Sequence, residues 1–417
     1  MSRRTLAALL LLLLPPAAGV AGCGGGGDGD GNAEQADGGK SQQELLDSID
    51  TRPRDVDDSD EGIKRLLADR AAAIEQRDAK AVAATATGPQ RARDRRTTAN
   101  LARLPLGDVR LTPVDVQVSG RRAKMGARMR YRIKGATREF ETGRKIVARK
   151  SAAGWRVVRD TSPDTLPWEV QRYAATRSRH IVLLTPPGVA AGDLVPGLER
   201  AYRRISRDLP ARDLPDRVLV LAATDADEVE SLGVKGLASN VVAMADVRRE
   251  FEPGGALEVR RVLAQRMTLI MDRFQTMPVA EREQTLAHEM VHTALGPDTS
   301  GRVPQWLVEG LALHVSRGDL SAYTGAVEAA GQRPSLRVLS RENAIGRLGA
   351  DGKSAAYVIA SAAAAEIAER KGNEGLFRFF EAFNDSTITG APGPRTTDKV
   401  MRKSIGMSLR ELDAAIG

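Results

Sequence analysis

Thiols are almost missing from this chain: of 417 residues, only Cys23 is a cysteine. Internal disulfides are therefore excluded, and beyond Cys23 no thiolate can serve as a nucleophile or a metal ligand. Any metal has to be held by nitrogen and oxygen. Histidine is also scarce, with four residues, His180, His288, His292 and His314. The apolar run Leu6 to Leu14 is far short of the roughly 20 residues that span a bilayer as a helix. No nucleic-acid-binding motif is present, and the 62 Lys and Arg are largely balanced by 54 Asp and Glu. The net charge of +8 thus reads as a solvated arginine-rich surface, with anionic lipid or cell-wall polymer as possible company and no nucleic-acid partner.

What is present begins with an export signal. Met1-Ser2-Arg3-Arg4 is a short basic start, Leu6 to Leu14 an apolar core, and Val20-Ala21-Gly22-Cys23 a small-residue end. The triplet before the cysteine resembles a bacterial lipobox, in which the thiol is acylated and the chain is cut just before it. That resemblance implies a signal peptide over 1–22 and a lipid anchor on Cys23, holding the protein at the extracytoplasmic face of the cell membrane. Residues 23–60, glycine-rich and then strongly charged, cannot bury enough apolar surface to offset backbone entropy and read as a tether.

Two folded regions follow, and the fold class expected is α+β. In 61–162, Ile63, Leu66, Leu67, Ala71 and Ile74 recur at helical spacing, predicting one helix that continues towards Ala86. Val114, Val116 and Val118 alternate with polar residues, as do Ala123, Met125, Ala127, Met129, Tyr131 and Ile133. The period of two places the apolar set inside and Lys124, Arg128, Arg130, Arg132 and Lys134 on a solvated outer face. Residues 146–149 and 155–158 read as a closing hairpin. One helix on a curved antiparallel sheet resembles the cone-shaped nuclear-transport-factor and SnoaL-like families.

Pro163 to Trp168 marks a boundary, and 166–417 forms the second region. Strands are expected at 180–184, 218–222, 240–244 and 267–271, with a helix over 193–209 and another opened by a capping box of Thr224 and Asp227.

Then comes His288-Glu289-Met290-Val291-His292. Pro278 suits a helix start, Glu281 and Glu283 its positive end, and Gly296-Pro297 its stop, so a helix is predicted over 278–295. Residues four apart share a face, so both imidazoles can grip one Zn²⁺ while Glu289 points at the metal's open side. A second helix starts near Pro304 and is apolar almost all round. A carboxylate in its middle is costly unless paired or ligated, so Glu309 needs a cation, and zinc held by the two histidines is the obvious one.

HExxH followed by Trp306-Leu307-Val308-Glu309-Gly310-Leu311-Ala312 resembles the gluzincin metallopeptidases, particularly the peptidase MA-like members. The resemblance implies a zincin-like domain of small mixed sheet plus mainly helical lobe, and an edge strand that pairs with a peptide or protein substrate. It implies that His288, His292 and Glu309 ligate zinc and that Glu289 is the general base. An oxyanion donor is also implied, with Tyr357 the leading candidate and Tyr323 and His314 the others; His314, five residues past Glu309, points away from it on the helix. Two departures stand out. No Gly-x-Met-Glu-Asn segment for a free amine precedes His288, and Leu313 stands where thermolysin-like members carry an aspartate supporting a zinc histidine. The alternative expectation is a catalytically silent zinc-binding scaffold.

Overall fold

A computed structural model of the chain describes residues 58–162, 165–210, 214–234, 241–251, 259–317, 325–385 and 393–417. Cys23, the signal segment and nearly all of the tether lie outside the described residues, as does Tyr323. The architecture is mixed α and β with two small sheets.

The first module opens with helix α1, Asp58–Glu75, three residues inside the stretch that composition assigns to the tether. The single helix expected as far as Ala86 is in fact two. Arg77 takes a left-handed φ of 61°, and Asp78 then caps α2, Ala79–Ala84, accepting from the backbone N–H groups of Lys80 and Ala81 at 2.9 Å each. A further helix, α3, spans Gly88–Ala99 and has no apolar stripe at all. Its buried side is polar: Gln90, Asp94 and Thr98, one turn apart. Arg70 of α1 meets Asp94 through two bonds of 2.7 and 2.8 Å and reaches Asp160 at 3.1 Å. Arg144 joins the same Asp160 at 2.8 Å and Glu169 at 2.8 Å, so charge pairing replaces apolar packing at this seam.

Strands β1 (Leu106–Ser119), β2 (Arg122–Ile133), β3 (Phe140–Ser151) and β4 (Gly154–Thr161) form an antiparallel sheet in sequence order. The alternation along β2 puts Ala123 through Ile133 inside, as expected. On its outer face, Glu141 binds Arg128 at 2.9 Å, Arg130 at 2.7 Å and Arg261 of the second module at 2.7 Å. Part of the basic face expected to be solvated is therefore an ion-pair seam between modules.

The second sheet has the order β5-β6-β7-β9-β8. Its strands are β5 (Ala174–Arg177), β6 (Ile181–Thr185), β7 (Val218–Ala223), β8 (Ala243–Phe251) and β9 (Val259–Ile270). The central three are parallel, and β5 and β8 run antiparallel to their neighbours. Both faces are covered, which explains the unbroken apolar runs of β6 and β7. Ile181, Leu183, Val218 and Val220 face a core built with helices, whereas Val182, Leu184, Leu219 and Leu221 belong to the core of the first module. Helix α4, Ala191–Ile205, connects β6 to β7. Helix α5, Ala226–Ser231, is capped one residue later than expected: Asp225 accepts from the Glu228 N–H at 2.9 Å, and the Glu228 carboxylate reaches back to the Thr224 N–H at 2.7 Å.

The helical lobe contains α6 (Val279–Leu295), α7 (Gln305–Ser316), α8 (Ala350–Glu381, interrupted at Gly372 with φ 71°), α9 (Pro394–Ile405) and α10 (Leu409–Ala415). Ser408 and Glu411 form a capping box on α10.

Candidate metal centre

Helix α6 carries His288, Glu289 and His292, and each end of it is held. Pro278 precedes its first turn, and at its last turn Arg249 of β8 donates to the carbonyls of Gly296, at 3.0 Å, and Thr299, at 2.7 Å. A cation there opposes the negative end of the helix dipole. Gly296 admits β8 at this point, since a Cβ on it would lie 2.6 Å from Val247. Helix α7 crosses with Trp306 fully buried, its indole N–H donating to Ser340 at 2.9 Å.

Gly310 fixes how close α7 comes to α8. A Cβ there would lie 2.2 Å from the Ala360 carbonyl oxygen and 3.3 Å from Ala364, so only glycine lets the two backbones meet. Glu309 is the residue next to this contact, so its placement is a consequence of it.

The three expected ligands come together. The His288 and His292 Nε2 atoms lie 3.0 Å apart, and Glu309 Oε2 lies 3.5 Å from the first and 3.2 Å from the second. Among the described residues this is the one group of three or more metal-ligating side chains, all donor atoms lying within 4.8 Å of one another. His288 and Glu309 are buried and His292 nearly so. Two imidazole nitrogens and one carboxylate oxygen converge here and could hold a metal ion.

Electrostatics divide the charge unevenly. Burial lowers the affinity of His288 for a proton, and neighbouring His292 lowers it further. Burial pushes His292 the same way, yet the Glu309 carboxylate outweighs it and raises His292 above its ordinary value. Glu309 itself is driven down to about 2, because the charge of His292 and hydrogen bonds from both rings overcome the cost of burial. A cation entering here would compete with any proton the cluster holds.

Glu289 is placed differently. Its Oε2 accepts from the backbone N–H of Ala245, on edge strand β8, at 3.0 Å, while Oε1 is buried with no hydrogen-bond partner among the described residues. Burial foremost, and then the Glu309 charge, push its carboxyl up to about 8 against the lowering effects of His292 and Ala245. A bound cation beside it would pull that value down again.

Of the oxyanion candidates, Tyr357 lies in the buried part of α8, one turn before Ala360, where that helix meets Gly310. His314 bonds Asn373 at 2.9 Å, on the far stretch of α8, in keeping with the direction expected from its place on α7. The Ala245 peptide group was not foreseeable from side-chain patterns, since any residue except proline offers an N–H. No protein-family model matches this chain, and a search of curated proteins found no match.

Proposed function

We propose that this chain is a zinc metallopeptidase of the gluzincin type, with a zincin-like catalytic domain and a cone-shaped module before it, held outside the cell by a lipid on Cys23. The observation that carries the reading is the company of Glu289: a buried carboxylate with one oxygen tied to a peptide N–H and the other unpartnered among the described residues, beside a His₂Glu cluster. A purely structural metal site would be closed by a fourth protein ligand and would have no use for such a carboxylate.

His288, His292 and Glu309 would hold the zinc, which when bound supplies Lewis acidity towards a carbonyl and lowers the pKa of water. Glu289 receives the proton of the attacking water at Oε1 and passes it to the departing amine. Ala245 keeps Oε2 occupied, so the proton is handled by one oxygen in a fixed direction. Tyr357 is the proposed donor to the oxyanion.

Substrate would enter along β8. Because the Val242 carbonyl accepts from Ile270 on β9, Val242 and Met244 direct their backbone groups inward and Ala243 and Ala245 direct theirs to the open side. An extended peptide can pair there. Casein and a peptide library, presented to the chain lacking the signal and tether and to its Glu289→Gln variant, test the reading. Zinc at one equivalent with cleavage only by the parent supports it; zinc with cleavage by neither turns the assignment to a binding scaffold.

A further inference from the structure

The excess positive charge of this protein sits in one module. Residues 58–162 hold 25 Lys and Arg against 12 Asp and Glu, a net +13 in a chain whose total is +8. Strand register then arranges those charges. Across the outer face of the first sheet Arg122 lies opposite Arg149, which lies opposite Arg156, so three cations stand in one row. In the next row Lys124 faces Val147, and Val147 faces Arg159; in the third, Gly126 faces Lys145.

Like charges directly opposite one another destabilise a sheet. Nothing in these rows offsets them except Asp115 on β1, opposite Gly126. Near the second module the same face is neutralised by Glu141, but that residue binds Arg128, Arg130 and Arg261 and lies far along the strands from Arg122. Arg122, Lys124, Lys145, Arg149 and Arg159 are exposed, and their side chains make no ion pair or hydrogen bond among the described residues. A repulsive, solvent-facing row of this kind is the signature of a surface whose counter-charge is supplied from outside.

The start of the described chain lies at this same end. Gly62 of α1 is so close to Trp155 that a Cβ would fall 2.9 Å from the indole, and Trp155 adjoins Arg156. Trp155 is buried on the inner face and Arg156 points to the outer one, so α1 begins at the same end of the strands as the cationic row, across the sheet from it.

We propose that the outer face of β2, β3 and β4, centred on Arg122, Arg149 and Arg156, docks on anionic phospholipid headgroups. The lipid on Cys23 proposed above would bring the chain to the membrane, and this face would then orient it there. Six basic side chains without an interleaved aromatic suit a layer of phosphates better than nucleic-acid bases, which need rings to stack on. The proposal does not depend on the peptidase reading, and its test does not use activity.

The chain from residue 23 onward retains every described element; with Cys23→Ser no acyl group contributes. It is co-sedimented with vesicles of phosphatidylglycerol in phosphatidylcholine and with phosphatidylcholine alone, at low and physiological salt. Binding to the anionic vesicles only, weakened by salt, is expected. The triple variant Arg122→Gln, Arg149→Gln, Arg156→Gln should bind on the order of 100-fold more weakly, since each cation near the surface contributes roughly fivefold. A control with Arg91, Arg95 and Arg96 of α3 changed to Gln removes equal charge elsewhere and should retain most of the binding. Equal loss in both variants, no preference for the anionic vesicles, or tighter binding of duplex DNA than of vesicles at the same salt overturns the proposal. Vesicle binding that emerges only after residues 24–57 are deleted would also overturn it, because their nine acidic residues against three basic would then be the occupant.

Discussion

Glu289 and Gly310 carry most of what single residues contribute here. Changing Glu289 to Gln keeps the shape and the Ala245 bond but removes the proposed base, so on the peptidase reading zinc content should be unchanged while kcat/KM falls by roughly 10²–10⁴-fold. Metal analysis beside a cleavage assay checks this, and loss of zinc would assign Glu289 to the ligand set instead. Gly310→Ala introduces a methyl where only 2.2 Å separates it from the Ala360 oxygen. Backbone has to move, so a loss of about 1–3 kcal/mol is expected from thermal or urea unfolding, with weaker zinc binding because Glu309 moves along with it. An unchanged Tm would show that α7 and α8 separate more easily than their contact implies. His292 was legible from spacing alone and Glu309 from the cost of a carboxylate in an apolar helix. The role of Ala245 was not, because it belongs to the peptide backbone.

Elements were readable where apolar residues mark the buried side, and hidden where polar residues do. The limits of α6 and the start of α7 follow from prolines and a glycine, and β6 and β7 from their continuous apolar runs. Helix α3 escaped because its inward residues are Gln90, Asp94 and Thr98, which a hydrophobic period counts as solvent. The ion network behind that helix sets the acid sensitivity of the module. Asp160 is held below the ordinary carboxylate range by Arg144 and Arg70, which outweigh its burial. A depressed folded-state pKa means that its contribution is complete above the unfolded value, near 3.9, and is lost as pH falls through the folded one. Urea unfolding should therefore show stability dropping as the pH falls below about 4, and Asp160→Asn, which leaves two buried arginines short of a partner, should cost about 3–5 kcal/mol at neutral pH with a flatter acid limb. An acid limb as steep in the variant as in the parent would place the sensitivity in other carboxylates.

On the scale of the whole molecule, the boundary at Pro163 to Trp168 divides the sequence more cleanly than it divides the core. Val182, Leu184, Leu219 and Leu221 of the second sheet pack into the first module, and Arg261 pairs with Glu141 across the seam. Calorimetry should therefore give a single cooperative transition; two well-separated ones would mean that the shared apolar face contributes little to coupling. This sharing was invisible in the sequence, because a strand buried on both sides does not state what covers each side. A last consequence concerns alignment rather than contact. The N–H that steadies Glu289 faces outward only because β8 pairs with β9 in one particular register, and Asp246 opposite Arg266, bonded at 2.6 Å, and Glu250 opposite Arg261 act as pins for it. A slip of one residue would turn the Ala245 peptide around and present no donor to Glu289. Two ion pairs on the far side of the sheet thus serve as a vernier for the carboxylate that the peptidase reading takes as its base.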